Sequence, residues 1–105
     1  IHASVVIGDN EQGIKTVAGN PGAIGYVSVG AAEYAATHEV AIRLLPLDGI
    51  PASTATVKDG SFPLSRPLNL VTRGQPQGLA GDFIAYARSA AVHDRVRSLY
   101  FVPLD

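Results

Sequence analysis

The run Gly19-Asn20-Pro21-Gly22-Ala23-Ile24-Gly25-Tyr26-Val27-Ser28-Val29-Gly30 constrains this chain more than any other stretch. Gly19 can take the left-handed conformation that ends a helix, and Asn20-Pro21-Gly22 cannot continue one. Residues 24–29 then have the β-branched and aromatic content of a buried strand. Glycines around so short a strand imply close backbone approach or a bend. The run reads as a helix stop, a tight turn, a strand, and a second stop at Gly30. On that strand the chain leaves one packed unit and enters another.

Length allows one domain at most, since the chain has 105 residues. Hydrophobic residues make up 47% and charged residues 16%, a globular balance rather than a disordered one. The formal net charge of -1 argues against general binding to nucleic acid or to anionic membrane. No apolar run approaches the ~20 residues of a membrane span. Cysteine is absent, which excludes disulfides and thiolate metal sites. Methionine is absent too, so the sequence implies a processed product, a trimmed chain or a piece of something longer.

Taken in order, Ala3-Ser4-Val5-Val6-Ile7 predicts a strand closed by Gly8. Asp9 or Asn10 caps a helix, with Gln12 placed as in a capping box and Ile14, Val17 and Ala18 on one face. Strand, helix and the organising strand in succession suggest a parallel crossover. Residues 31–37 are alanine-rich and predict a short helix. Val40, Ile42 and Leu44 alternate in a second apolar strand over 40–47, with Pro46 confining its end to an edge. Asp48-Gly49 signals a turn. Residues 53–58 suit one or two helical turns, capped by Ser53 and ended by Asp59-Gly60.

Residues 61–72 read as extended, because Pro63 and Pro67 rule out helix. Leu64, Leu68 and Leu70 share one side of that run. After the loop at Arg73-Gly74-Gln75-Pro76, the spacing of Leu79, Phe83, Tyr86 and Ala87 predicts a helix with one buried face. Ser89 is placed to cap a further helix carrying Val92, Val96 and Leu99, and 101–104 form a terminal extended piece.

Few residues carry chemistry. Tyr26-Val27-Ser28-Val29-Gly30 resembles the end of a nucleophile elbow, but Tyr26 replaces its leading glycine and Ser28 falls within a predicted strand. A small serine hydrolase using Ser28 is thus the weakest of the functional alternatives. His2, His38 and His93 lie on three separate elements at no metal-ligand spacing, and predict scattered surface histidines. Asp82 and Asp94 fall on separate helices and form no glycosidase pair. The glycines at 19, 22 and 25 precede a strand, whereas nucleotide loops follow one. Free amides near Asn10 could face an anion, but Asp9 and Glu11 oppose it, so capping is the better account. Ser65-Arg66 is the most pointed polar pair. Arg66 interrupts an apolar face, and a buried arginine needs a carboxylate, a carbonyl or a ligand anion. No catalytic residue, metal ligand or cofactor is predicted.

Four motifs in register resemble a known family. Pro21-Gly22-Ala23-Ile24-Gly25-Tyr26-Val27-Ser28 resembles the PGAIGYVS segment of periplasmic phosphate-binding proteins of ABC transporters. Residues 59–68, Asp-Gly-Ser-Phe-Pro-Leu-Ser-Arg-Pro-Leu, are similar to its DGxYPLSRPL pattern. Leu47-Asp48-Gly49-Ile50-Pro51 and Phe101-Val102-Pro103-Leu104 are similar to two more of its segments. The resemblance implies an α/β, type II periplasmic-binding-protein fold, here a partial one with a short, mostly parallel or mixed sheet flanked by helices. It implies two lobes crossed by the chain, an anion held between them, and closure by a hinge. Residues 1–30 would end the second lobe and carry the crossing strand, and 31–105 would form the last part of the first lobe.

Gly25, Tyr26, Gly30 and Pro67 would sit at the hinge or crossing. The family's phosphate ligands come from segments upstream of the matching part, so none is carried over, and Ser65 and Arg66 remain the only candidates. The implied role is non-enzymatic uptake of phosphate or a similar oxyanion, delivered to a membrane permease from a periplasmic or extracytoplasmic location, with the signal segment absent from this chain. The alternative is a binding or scaffold module that keeps half the fold without an anion site.

Two departures from the family stand out. Ser89 is followed by Ala90-Ala91-Val92-His93 where the family has Pro-Glu-Gly-Gln. Tyr100 replaces a glycine before the final aromatic, so the last helical turn is expected to differ. Apolar faces and strand edges made for an absent half would favour a homodimer or strand exchange.

Overall fold

Local capping signals decide most of the architecture. The computed structural model describes residues 5–104 and contains five α-helices among them: α1 (Asn10–Ala18), α2 (Val29–Thr37), α3 (Thr54–Lys58), α4 (Gly78–Ala87) and α5 (His93–Ser98). A 3₁₀ turn, Ala90–Val92, leads into α5. Asp9 caps α1 in extended conformation, its carboxylate accepting the Gln12 N–H at 2.8 Å. Gln12 reaches back to the N–H of Gly8 at 2.8 Å, so the box closes one residue earlier than the sequence suggests. Ser53 caps α3 reciprocally with Thr56, whose N–H and hydroxyl both meet it. Asp48 and Gly49 have φ of 50° and 76°, the two left-handed residues of a type I′ hairpin turn. That turn is clamped by Leu47 and Ile50, each N–H donating to the other's carbonyl at 3.0 and 2.8 Å.

Several expectations need correction. The organising run is extended but unpaired and ends at Ser28, because Val29 and Gly30 open α2 rather than closing a strand. Gly19 keeps φ at -84°, and α1 ends without left-handed geometry. The stop comes instead from Asn20, whose side chain accepts the Gly22 N–H at 3.1 Å and whose carbonyl accepts from Ala23 at 3.0 Å. Ser89 does not cap with its side chain; its hydroxyl donates to the Tyr86 carbonyl at 2.7 Å.

The expected sheet is not formed among the described residues, where the sole bridge is the Leu47–Ile50 pair. A ladder needs a partner backbone about 4.8 Å away, and the runs 23–28, 42–46 and 64–72 have none beside them. Ala3 and Ser4 of the first predicted strand lie outside the described residues.

The core is small. α2 turns Ala31, Ala32 and Ala35 inward, between α1 on one side and α3 on the other. Phe62 folds beneath α3, its N–H on the Thr56 carbonyl at 3.1 Å, and is 6% exposed. Gly13 is the buried point of α1. A Cβ there would stand 2.6 Å from Ile7 Cδ1 and 2.9 Å from Val27 Cγ1. Both extended segments that flank α1 therefore converge on one side of that helix. By contrast, the face predicted to bury α4 is open, with Leu79, Phe83 and Tyr86 all more than half exposed. The radius of gyration is 16.6 Å, against about 13 Å for a compact domain of this length.

Candidate functional site

The predicted crossing residues are held by two different contacts. Asn10, the first residue of α1, and Ser28, the cap of α2, bind each other reciprocally. The Asn10 amide donates to Ser28 Oγ, and the Ser28 N–H donates to Asn10 Oδ1, both at 3.1 Å. This pair brings the starts of α1 and α2 side by side across 18 positions of sequence. Two residues on, Gly30 lies against the last turn of α5, where a Cβ would meet the Tyr100 carbonyl carbon at 2.9 Å and its oxygen closer still.

Tyr100 has φ of 64°, so it takes the left-handed position without glycine, and the last helical turn does not differ, contrary to expectation. It completes a Schellman closure: its N–H meets the Arg97 carbonyl at 2.9 Å and the Phe101 N–H meets the Val96 carbonyl at 3.1 Å. Its ring packs on Tyr34, centroids 5.3 Å apart, and Tyr34 stacks on His38 at 3.9 Å. His38 Nδ1 lies 2.7 Å from the Tyr34 carbonyl, which can only accept, so that nitrogen carries the proton.

An open cleft of about 770 Å³ runs between α2, α3 and the C-terminal segment, with Glu33, Tyr34, Lys58, Arg97 and Tyr100 on its walls. Glu33 is committed to structure: its carboxylate accepts the Thr54 N–H at 2.9 Å and the Thr54 hydroxyl at 2.7 Å, at the start of α3. Arg97 pairs with Asp94 at 3.1 Å. A second, shallower depression at the start of α1 is lined by Asp9, Glu11, Gln12, Lys15 and Thr16, with Lys15 on Glu11 at 2.9 Å. Glu11 raises the Lys15 pKa through that contact. Two carboxylates at this helix start make it a capped end rather than an anion cradle.

Gly25 packs its Cα side on Val17, where a Cβ would sit 2.7 Å from Cγ2, and Tyr26 is 81% exposed. Ser65 donates its N–H to the Phe62 carbonyl at 3.4 Å, closing a local turn. Ser65, Arg66 and Pro67 are all exposed, so the apolar burial expected around Arg66 is absent. Among the described residues no hydrogen bond ties those three to Gly25, Tyr26 or Gly30. Ser28 stands at an extended-to-helix junction, yet its hydroxyl meets only Asn10 and no base among the described residues. Of the histidines, His38 and His93 stand on separate elements and His2 lies outside the described residues. Among the described residues no cluster of His, Cys, Asp or Glu could hold a metal.

Sequence reasoning missed the link between Asn10 and Ser28, and also Glu33. Each acts across a gap that no local pattern marks. The departure noted at Tyr100 was the one usable signal for the aromatic cluster.

Residues 2–91 match the family described as the PBP superfamily domain. The chain belongs to that family, and with it to the periplasmic-binding-protein fold. It is 37% identical over 87 residues to the phosphate-binding protein PstS 2 of Streptococcus pneumoniae, a stretch covering 82% of this chain and 28% of that protein. PstS 2 of Streptococcus agalactiae is 33% identical over 104 residues, 98% of this chain and 33% of its own length. The phosphate-binding protein PstS of Bacillus subtilis is 30% identical over 82 residues. The chain thus spans about a third of the length of these relatives. No solved structure matches it.

Proposed function

We propose that this chain is part of the solute-binding component of an ABC transporter, taking up phosphate or a similar oxyanion, with no catalytic step of its own. The identity with PstS 2 of Streptococcus pneumoniae over 87 residues carries this reading. The full protein would work outside the cytoplasm and hand its anion to a membrane permease. Among the described residues no helix is long and apolar enough to cross a membrane.

In this reading residues 1–30 end the second lobe and 31–105 finish the first. The runs 23–28 and 42–46 are strands of a parallel or mixed sheet once the rest of the fold lies beside them. The meeting of Ile7 and Val27 on Gly13 supports that arrangement, since a crossover helix packs against both strands it joins. Gly25, Tyr26, Gly30 and Pro67 mark the crossing. The tight contacts at Gly25 and Gly30 favour close approach over free bending there. Ser65 and Arg66 stay exposed and available to an anion from the other lobe.

A chimera tests the reading. The matching third of PstS 2 from Streptococcus pneumoniae is replaced by this chain, and phosphate binding is followed by calorimetry. Saturable binding in the micromolar range, about 8 kcal/mol, is expected, and a folded chimera without it would refute the assignment. This chain alone is expected to give no saturable heat with phosphate at low or moderate salt. Saturation there would place an anion site within these residues, with Arg66 and the amides near Asn10 the first to mutate.

A further inference from the structure

We propose that Asn10 is a positioning residue for anion capture: with Ser28 it holds the lobe crossing in the arrangement that takes the anion, without touching the anion itself. The proposal rests on the transport reading, in which α1 belongs to one lobe and α2 opens the other. Ser28 stands at the cap of α2 in extended backbone, φ -66° and ψ 142°. In that position a serine hydroxyl ordinarily accepts an amide of the first turn, yet Ser28 makes no such bond. Its Oγ accepts the Asn10 amide instead, and its N–H donates to Asn10 Oδ1. The hydroxyl is thus committed to the neighbouring helix rather than to the helix it begins.

Asparagine suits this task because its side chain offers a donor and an acceptor side by side. One hydrogen bond would leave a swivel, whereas two of opposite direction fix both the separation and the relative rotation of the two helix starts. Neighbouring contacts add to the restraint. Gly25 lies on Val17 of α1 and Gly30 on Tyr100 at the end of α5, both closer than a Cβ would allow. The crossing is therefore held at 25, 28 and 30. The bonds at 28 are open to water, so losing them exchanges protein partners for water at little cost to stability, while it frees the angle between α1 and α2. When only a fraction of a protein holds the competent arrangement, its apparent affinity falls by that fraction. The loss then lies in association, because the contacts that retain a bound anion are unchanged.

The test uses the chimera with PstS 2 of Streptococcus pneumoniae, with inorganic phosphate as the probe. Asn10→Ala is expected to weaken phosphate binding about fivefold, the lower end of common coupling factors. Stopped-flow traces are expected to place that loss in a slower association rate with dissociation unchanged, and the urea midpoint is expected to stay nearly where it was. Ser28→Ala keeps the N–H and loses Oγ, so it is expected to lose less, and the double variant to bind no worse than Asn10→Ala alone. Unchanged affinity in Asn10→Ala overturns the proposal, and a fallen urea midpoint beside it would leave the pair a purely structural contact. A faster dissociation rate also overturns it, because Asn10 would then touch the anion. Losses that add across the double variant overturn the action of the two residues as a unit. A parent chimera that binds no phosphate refutes the transport reading itself, and this role with it.

Discussion

At the scale of single residues, three side chains carry backbone geometry that suits glycine better: Glu39, Asp48 and Tyr100, with φ of 65°, 50° and 64°. Left-handed geometry costs a residue with a Cβ about 1–2 kcal/mol, and what offsets that cost differs between them. Tyr100 packs its ring on Tyr34. Glu39, which closes α2 through the Val40 N–H on the Ala35 carbonyl, is exposed and shows no such contact. Glu39→Gly should therefore stabilise the chain by about 1 kcal/mol, or ~4–8 °C in Tm, while Tyr100→Gly should gain less or lose stability. Thermal melts of both variants check the ordering, and a larger gain at Tyr100 would contradict it. Gly30 is the opposite case. A methyl group there meets the Tyr100 carbonyl, so Gly30→Ala should cost about 2–3 kcal/mol, visible as a lower urea midpoint. Asp59 sets a pH dependence. Hydrogen bonds from the side chain and the N–H of Ser61 hold its carboxyl below the ordinary aspartate value. Its contribution is complete above that ordinary value, about 3.9, and is lost as pH falls through the lowered value of the folded state. Ser61→Ala should move the Asp59 titration upward in a carbon-detected NMR series, and an unmoved midpoint would remove the Ser61 hydroxyl as a cause and leave its N–H.

At the scale of elements, α3 shows how little a short helix stands on its own. Five residues cannot repay helix nucleation by internal bonds alone. Ser53 and Thr56 close its first turn, and the Glu33 carboxylate, arriving from α2, takes the amide and hydroxyl of Thr54. Ser53→Ala should cost about 1 kcal/mol, and Glu33→Ala about 1–2 kcal/mol. Combined, they should cost less than the sum, because once either support is gone the helix frays. Hydrogen exchange at the Val57 and Asp59 amides, both bonded to the first turn, reads this directly; strictly additive losses would mean that the two supports are independent. The same elements show what a sequence can disclose. Asp9, Ser53 and Asp48-Gly49 act on neighbours within a few residues, and each was legible beforehand. The strands were not, because a strand is made by its partner, and the runs around Val27 and Ile42 find none among the described residues. The Asn10–Ser28 pair and the Glu33–Thr54 bridge span 18 and 21 positions and leave no local trace. The burial expected of Leu79, Phe83 and Tyr86 was inferred from their spacing, and spacing shows which residues share a side without saying what covers it.

At the scale of the whole molecule, the exposed area governs how the chain unfolds. An unfolded chain of 10.9 kDa exposes roughly 15,800 Å², and a compact fold would bury about 65% of that. With 8513 Å² still open, this chain buries a little under half, about seven tenths of the compact value. The slope of stability against denaturant follows the area exposed on unfolding. Its urea m-value at about 1 µM should therefore be about seven tenths of that of a compact domain of equal length. A slope of full size at 1 µM, independent of concentration, would mean that the chain in solution closes over Phe83 and Leu70 by itself. The extended shape, 52 × 27 × 26 Å, would then be one that the free chain does not keep. A slope reduced to that extent would mean that the free chain keeps this area open. Slope is the quantity to read here, because it reports area whereas the midpoint also carries free energy.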